Sequence, residues 1–258
     1  MPDGIRLDID GPLARITLDR PARLNALDFA MGGAYRDACV TATSTPSVAA
    51  IILCAEGPAF CAGGDVLAMA SSGATGAEVT AAAHVIHEGI RALTSSAIPV
   101  VAAARGAVAG GGIGLLLAAD AVVASPTLRV AGRYVDVGLT PDLGVSTLLA
   151  RAVGERRALA ILTLGRELDA ETALAWGMVD EVNVEPEARA EGIARSWAEG
   201  ASAAFGHAKR LVRASSQRSF AESLDDEAAT IGAAFDTDEA RRRIGAFAAA
   251  SAAREAGR

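Results

Sequence analysis

Aromatic residues are scarce in this chain, with two Trp, two Tyr and six Phe among 258 residues, 4% of the total. A core built on rings is therefore excluded. Cysteine is sparser still: Cys39, Cys54 and Cys61 are an odd, scattered set without CxxC spacing. Such thiols fit a reducing compartment and not a disulfide framework. Of the three histidines, His84 and His87 share a helical stretch with no third ligand candidate nearby, so no metal site is expected. They read as surface or packing residues.

Positive charge is also in deficit. Lys and Arg number 24 against 31 Asp and Glu, a net charge of −7, which repels a phosphate polymer. No nucleic-acid partner is expected. Uninterrupted apolar runs stop short of the ~18 residues of a membrane span. The run Ile113 to Ala119 ends at Asp120, and Asp3, Asp8 and Asp10 stand where a secretion signal is basic and then apolar. A cytoplasmic protein without a membrane partner is the expectation.

What the chain does contain is Ala, Val, Leu and Ile in quantity, 51% hydrophobic residues overall, and 27 glycines. That much apolar surface offsets the entropy of ordering the chain, so the protein is globular. Its length suits one large fold. Residues 5–10 and 13–19 alternate with period two around Gly11-Pro12, which predicts a hairpin. Asp28 is placed to cap a helix to about Thr41, and residues 48–54 form a short buried strand. The pattern recurs with a helix over 77–95, a strand over 100–104, a glycine-rich turn and a helix over 113–119. Strands follow at 121–124 and 128–130, then a loop through Pro141-Asp142 and a helix over 144–153. Beyond Pro186 strand patterning ceases, and Ala, Glu and Arg recur at helical spacing. The expected division is a core over 1–185 and a helical region over 186–258.

Two glycine-rich turns, residues 59–65 (AFCAGGD) and 105–114 (RGAVAGGGIG), each join an apolar strand to a helix. Turns of this kind present free N–H groups at a helix start. The second lacks the Lys-Ser/Thr of a phosphate-binding loop and the spacing of a dinucleotide fingerprint. Two readings remain on residues alone. The turns are tight packing corners, or each supplies one N–H to a single oxygen that gains negative charge in a reaction.

Residues 16–27 (ITLDRPARLNAL), 59–65 (AFCAGGD) and 106–112 (GAVAGGG), in this order, resemble the three signatures of the enoyl-CoA hydratase/isomerase (crotonase) family. Residues 162–166 (LTLGR) and 170–180 (AETALAWGMVD) resemble the family's later segment, so the likeness spans nearly the whole chain. It implies an α/β fold, a crotonase-like β-β-α spiral core with a C-terminal α-helical oligomerisation region. It further implies an acyl-CoA thioester substrate, a homotrimer or hexamer, and no separate cofactor, coenzyme A being part of the substrate. The family's oxyanion donors map onto the backbone N–H groups of Gly64 and Gly111. By the same resemblance Arg23, Ala26, Ala62 and Asp65 line the CoA site. For Arg23 and Asp65 a solvated charge and a helix N-cap are the rival readings. A basic residue that meets CoA phosphate in many members is unassigned here, since residues 248–251 are Ala-Ala-Ala-Ser.

Hydration of a 2-enoyl-CoA calls on two acids, one to activate water and one to manage the α-proton. The resemblance puts the first at Gly114 and the second at about Tyr134, and neither is acidic. Asp142, one step after Pro141, instead matches the working carboxylate of several non-hydratase members. Among them are the Δ3,Δ2-enoyl-CoA isomerases, 1,2-epoxyphenylacetyl-CoA isomerase and 4-chlorobenzoyl-CoA dehalogenase. The expected reaction is double-bond isomerisation in fatty acid or aromatic acid degradation, with Asp142 as acid and base. Asp142 as a helix cap is the rival reading. Asp136 is a possible second acid, with a salt bridge to Arg133 as its alternative. A hydratase recruiting Asp136 or a water, and an acyl-CoA binding protein without catalysis, stay open. A Ser-His-Asp peptidase lacks its G-x-S-x-G.

Overall fold

The structure, a computed structural model, describes residues 4–256. Asp3 and the last two residues of the helical region lie outside the described residues. The chain opens with the expected hairpin, β1 (Ile5–Asp10) and β2 (Leu13–Leu18), paired antiparallel. Next comes α1 (Phe29–Ser44), whose first turn is capped as the sequence indicates, the Met31 N–H donating to the Asp28 carboxylate. β3 (Ala50–Ala55) lies parallel to β2. α2 (Val66–Ser72) and α3 (Gly76–Ser95) follow, and α3 starts on a reciprocal capping box between Thr75 and Glu78.

β4 (Val100–Ala104), β5 (Ala107–Ala109), α4 (Gly111–Leu117), β6 (Ala121–Ala124) and β7 (Arg129–Ala131) form the middle of the chain. After them run α5 (Val145–Val153), α6 (Glu155–Thr163), β8 (Leu168–Asp169), α7 (Ala170–Ala175) and β9 (Glu181–Val182). The main sheet has the order β1-β2-β3-β4-β6-β9, parallel after its first pair, and β5-β7-β8 make a second, smaller sheet. β3 and β4 read as unbroken apolar runs because both of their faces are covered. On one face Ile51, Leu53 and Ala102 meet the large core with α1, α3 and α4; on the other, Ile52, Val101 and Ala103 meet Ala190 and Ala194.

Those two alanines belong to α8 (Pro186–Glu199), the first element of the helical region, so this helix packs directly on the sheet. α9 (Ser202–Ala214), α10 (Phe220–Phe235) and α11 (Asp238–Ala256) complete the chain. Among the described residues no helix is long and apolar enough to cross a membrane. One element departs from expectation. Residues 107–109, read as part of a glycine-rich turn, are the strand β5, paired in parallel with β7. Glycines on both sides hide so short a strand from any periodicity, and only its partner defines it.

α9 is fastened to the core by a buried ammonium. Lys209 Nζ donates to the carbonyls of Leu93 (2.7 Å) and Ile98 (2.8 Å) and pairs with Asp120 (2.7 Å), which also holds Arg213 and the Val100 N–H. Burial pulls the Lys209 ammonium below the ordinary lysine range, and Asp120 opposes that pull. Asp120 is thus structural, as its position at the end of the Leu115 to Leu117 helix implies. Lys209→Met leaves the buried Leu93 and Ile98 carbonyls without their donor and Asp120 with Arg213 as its one cation, so it is expected to cost about 3 kcal/mol. Urea unfolding should show the loss as a lower midpoint at unchanged m; an unaltered midpoint would refute it.

Candidate active site

The two glycine-rich turns are laced together. Cys61 and Val108 form a parallel bridge in which the Cys61 N–H donates to the Ala107 carbonyl (3.1 Å) and the Ala109 N–H to the Cys61 carbonyl (2.9 Å). Close approach dictates the glycines here. A Cβ at Gly112 would lie 2.3 Å from the Cys61 oxygen, and one at Gly106, where φ is +58°, would lie 1.9 Å from the Pro58 oxygen. Gly63 presses in the same way on the Ala109 carbonyl. Among the described residues neither the Gly64 nor the Gly111 N–H is donated to a protein acceptor. Gly111 opens α4, where the first N–H groups have no partner within the helix. Two free N–H groups therefore sit on adjoining turns.

The RPARLNAL segment closes over the first turn. Leu24 and Asn25 take left-handed backbone conformations (φ 51° and 56°), and the fully buried Asn25 side chain compensates with three hydrogen bonds. Its Oδ1 accepts from the Arg20 N–H, and its Nδ2 donates to the carbonyls of Glu56 and Ala59. The Leu27 N–H donates to Gly63, the Asp65 N–H to Leu27 and the Ala62 N–H to Leu24, so Arg23, Ala26, Ala62 and Asp65 come together. Asp65 is buried, caps α2 by accepting from the Ala68 N–H, and pairs with both Arg20 and Arg23 at 2.9 Å. Burial works to raise its pKa. The bonds from Arg23, the Ala68 N–H and Arg20 outweigh burial and bring the carboxyl down to about 2.

Beyond the second turn, the loop after β7 carries Tyr134, Asp136 and Asp142. Asp136 is exposed and bonded to Arg133 at 3.2 Å, the alternative foreseen for it. Asp142 lies beside the second glycine turn: its Oδ1 is 3.5 Å from where a Cβ of Gly111 would be. The carboxylate does not cap α5, whose N-cap is Gly144. Instead its Oδ1 accepts from the Tyr134 hydroxyl at 2.6 Å. On the far side, His87 of α3 accepts the Leu143 N–H on Nε2 at 3.1 Å. Burial, more than the nearby cations, holds the His87 imidazole below its ordinary pKa, although Asp142 pulls the other way. It therefore stays a neutral acceptor at pH 7. The sequence marks His87 as a surface or packing residue and carries no local signal of this contact, since its partner lies 56 residues away.

Gly114 is closed to any side chain. A Cβ there would lie 2.0 Å from the Leu143 carbonyl oxygen and 2.9 Å from its carbon. The backbone that presents Asp142 thus occupies the space a residue at 114 would need. Among the described residues no three His, Cys, Asp or Glu side chains gather as a metal site requires.

A spiral of this kind, with a mixed sheet, paired glycine turns and a helical C-terminal region, is a crotonase-like fold. The structure of an enoyl-CoA hydratase from Polaromonas sp. JS666 superposes with a TM-score of 0.89 at 28% identity, over 95% of this chain and 96% of that one. The family model described as enoyl-CoA hydratase/isomerase matches residues 8–253. A Rhodobacter capsulatus protein named "Probable enoyl-CoA hydratase" is 34% identical over 248 residues, 94% of each chain. A trans-2-decenoyl-acyl-carrier-protein isomerase of Streptococcus mutans is 34% identical over 185 residues, 71% of this chain and 70% of that one. The chain belongs to the enoyl-CoA hydratase/isomerase family, whose members are enzymes acting on acyl-CoA substrates.

The Asp65 cluster has a pH signature. A carboxyl depressed from 3.8 to about 2 contributes stability that is complete above pH 3.8 and is lost as pH falls toward 2. The urea midpoint of Asp65→Asn should lie below that of the native protein at pH 5, with the gap narrowing toward pH 2. A gap independent of pH would contradict this account.

Proposed function

We propose that the protein isomerises the double bond of an unsaturated acyl-CoA, as a Δ3,Δ2-enoyl-CoA isomerase or a 1,2-epoxyphenylacetyl-CoA isomerase does. The observation that carries this reading is the Asp142 carboxylate beside Gly111, together with a Gly114 position that the Leu143 carbonyl closes. In this scheme the Gly64 and Gly111 N–H groups hold the thioester oxygen, and Asp142 removes the proton at C2. The electron pair of that C–H bond enters a conjugated dienolate, and the same carboxyl returns the proton at C4. One carboxylate suffices, and the steps ask for no resident cofactor or metal. A lost oxyanion donor typically costs about 2.7 to 4 kcal/mol of barrier, which is why backbone N–H groups can carry the charge without any side chain.

The cluster of Arg23, Ala26, Ala62 and Asp65 fits a CoA-binding role in which Asp65 fixes the Arg23 guanidinium. The second reading is 2-enoyl-CoA hydration, favoured by the names of several relatives. It would need Asp136 or a water where family members use glutamates, and Asp136 is already engaged by Arg133. With purified protein, a 3-enoyl-CoA should give rising conjugated-thioester absorbance, and Asp142→Asn should abolish the rise. Rapid loss of 2-enoyl-CoA absorbance, unaffected by that substitution, would favour hydration and sink the isomerase reading. Tight acyl-CoA binding without turnover of either substrate would mark a binding protein.

The reading extends to a homotrimer or hexamer. Phe220, Ile231, Phe235 and Phe247 on α10 and α11 are each more than half exposed, an apolar surface that a neighbouring copy would cover. Light scattering should return three or six times the chain mass; a single-chain mass would overturn the assembly.

A further inference from the structure

The Tyr134 hydroxyl is the polar group nearest the Asp142 carboxylate, and the scheme above leaves it unused. Tyr134 is 8% exposed and stands at the N-cap of a 3-10 turn, Val135–Val137. Its ring carbon Cζ lies 4.0 Å from where a Cβ of Gly110 would be, so the phenol stands against the base of the second glycine turn. The hydroxyl donates to Asp142 Oδ1 at 2.6 Å, and the Asp142 N–H points back at the same oxygen at 3.4 Å. Among the described residues Asp142 Oδ2 has no protein partner.

The geometry points to Tyr134 as the positioning residue of the reaction, a phenol that binds one oxygen of Asp142 and leaves Oδ2 as the oxygen that exchanges the substrate proton. This inference rests on the isomerase reading, since it assigns the two oxygens of the proposed acid and base. In the forward step the C2–H bond breaks, its electron pair enters the dienolate, and the proton goes to Oδ2. In the second step the O–H bond at Oδ2 breaks as C4–H forms. The phenolic proton stays on Tyr134 throughout. It can stay there because burial and the facing carboxylate both push the phenol well above the ordinary tyrosine range. The phenol therefore remains a donor over the working pH range and never competes for the substrate proton.

The pairing also accounts for the absence of a second acid. Position 134 is where the resemblance puts the second hydratase carboxylate. A carboxylate there would stand on the same side as Asp142, and nearby like charges disfavour each other's ionisation. A phenol at the same place removes that repulsion and supplies a charge-assisted hydrogen bond instead. The other titratable groups around the pair are His87 from α3, kept neutral, and Cys61 from the first glycine turn, whose thiol burial pushes up to about 12. Neither carries a charge at neutral pH that could take over the role of the phenol.

The test compares Tyr134→Phe and Asp142→Asn on a 3-enoyl-CoA. Tyr134→Phe is expected to lower kcat by about tenfold or more with KM within about twofold. A merely structural role would raise KM along with the fall in kcat. If Asp142→Asn is inactive while Tyr134→Phe keeps the native kcat, or loses kcat and KM together, the inference is overturned and the isomerase reading stands. If Asp142→Asn keeps native activity, the isomerase reading itself fails. Should Tyr134→Phe not fold, the chain's two tyrosines, Tyr35 and Tyr134, allow a measurement on otherwise native protein. With both replaced by 3-fluorotyrosine, one of two fluorine resonances should shift on Asp142→Asn. Two unmoved resonances would overturn the inference.

Discussion

The bridge between Cys61 and Val108 is the constraint on which the rest of this structure depends. It brings two turns, nearly fifty residues apart in sequence, into backbone contact, and only residues without a Cβ permit that contact at Gly63, Gly106 and Gly112. The pairing satisfies much of the backbone of both turns but, among the described residues, leaves the N–H groups of Gly64 and Gly111 without a protein acceptor. The free donors are thus a product of the same packing that demands the glycines. Both faces of the main sheet are covered, and the turns follow its neighbouring central strands β3 and β4, whose pairing sets how far apart the turns begin.

A second constraint acts on the loop that bears Asp142. It is held at three points: the Tyr134 hydroxyl on the carboxylate, the His87 imidazole on the Leu143 N–H, and the Leu143 carbonyl pressed against Gly114. Leu143 takes a left-handed backbone (φ 48°), a strain such contacts can sustain. The loop lies directly on α4, whose first residue offers a free N–H. Donor and carboxylate are therefore set by one contact surface, and a change at Gly114 would disturb both.

Much of this was legible in the residues. The Gly11-Pro12 hairpin, the Asp28 cap and the apolar runs of β3 and β4 announce themselves through local chemistry: turn preference, a side-chain acceptor, and alternation or its absence. The glycine turns by themselves left two readings open, packing corners or a pair of donors, and the family resemblance is what pointed to a site there. The roles of Asn25 and His87 were not legible. Asn25 serves through a left-handed backbone and bonds to Glu56 and Ala59, and His87 through a loop 56 residues on. Neither pattern leaves a mark on neighbouring residues. β5 escaped notice for the same reason, since a three-residue strand is defined by its partner alone.

By itself, then, the sequence determined the fold class through its family resemblance, and the opening hairpin, the Asp28 cap, the apolar strands β3 and β4 and the two glycine turns, because each rests on local propensity or on a motif of adjacent residues. Only the tertiary structure decided what the side chains around those turns do. It gave Asp65 to Arg20 and Arg23, Asp136 to Arg133, and Asp142 to Tyr134. A carboxylate finds its partner through space, where a few ångströms separate an ion pair from a free base, and that distance is set by how distant segments pack.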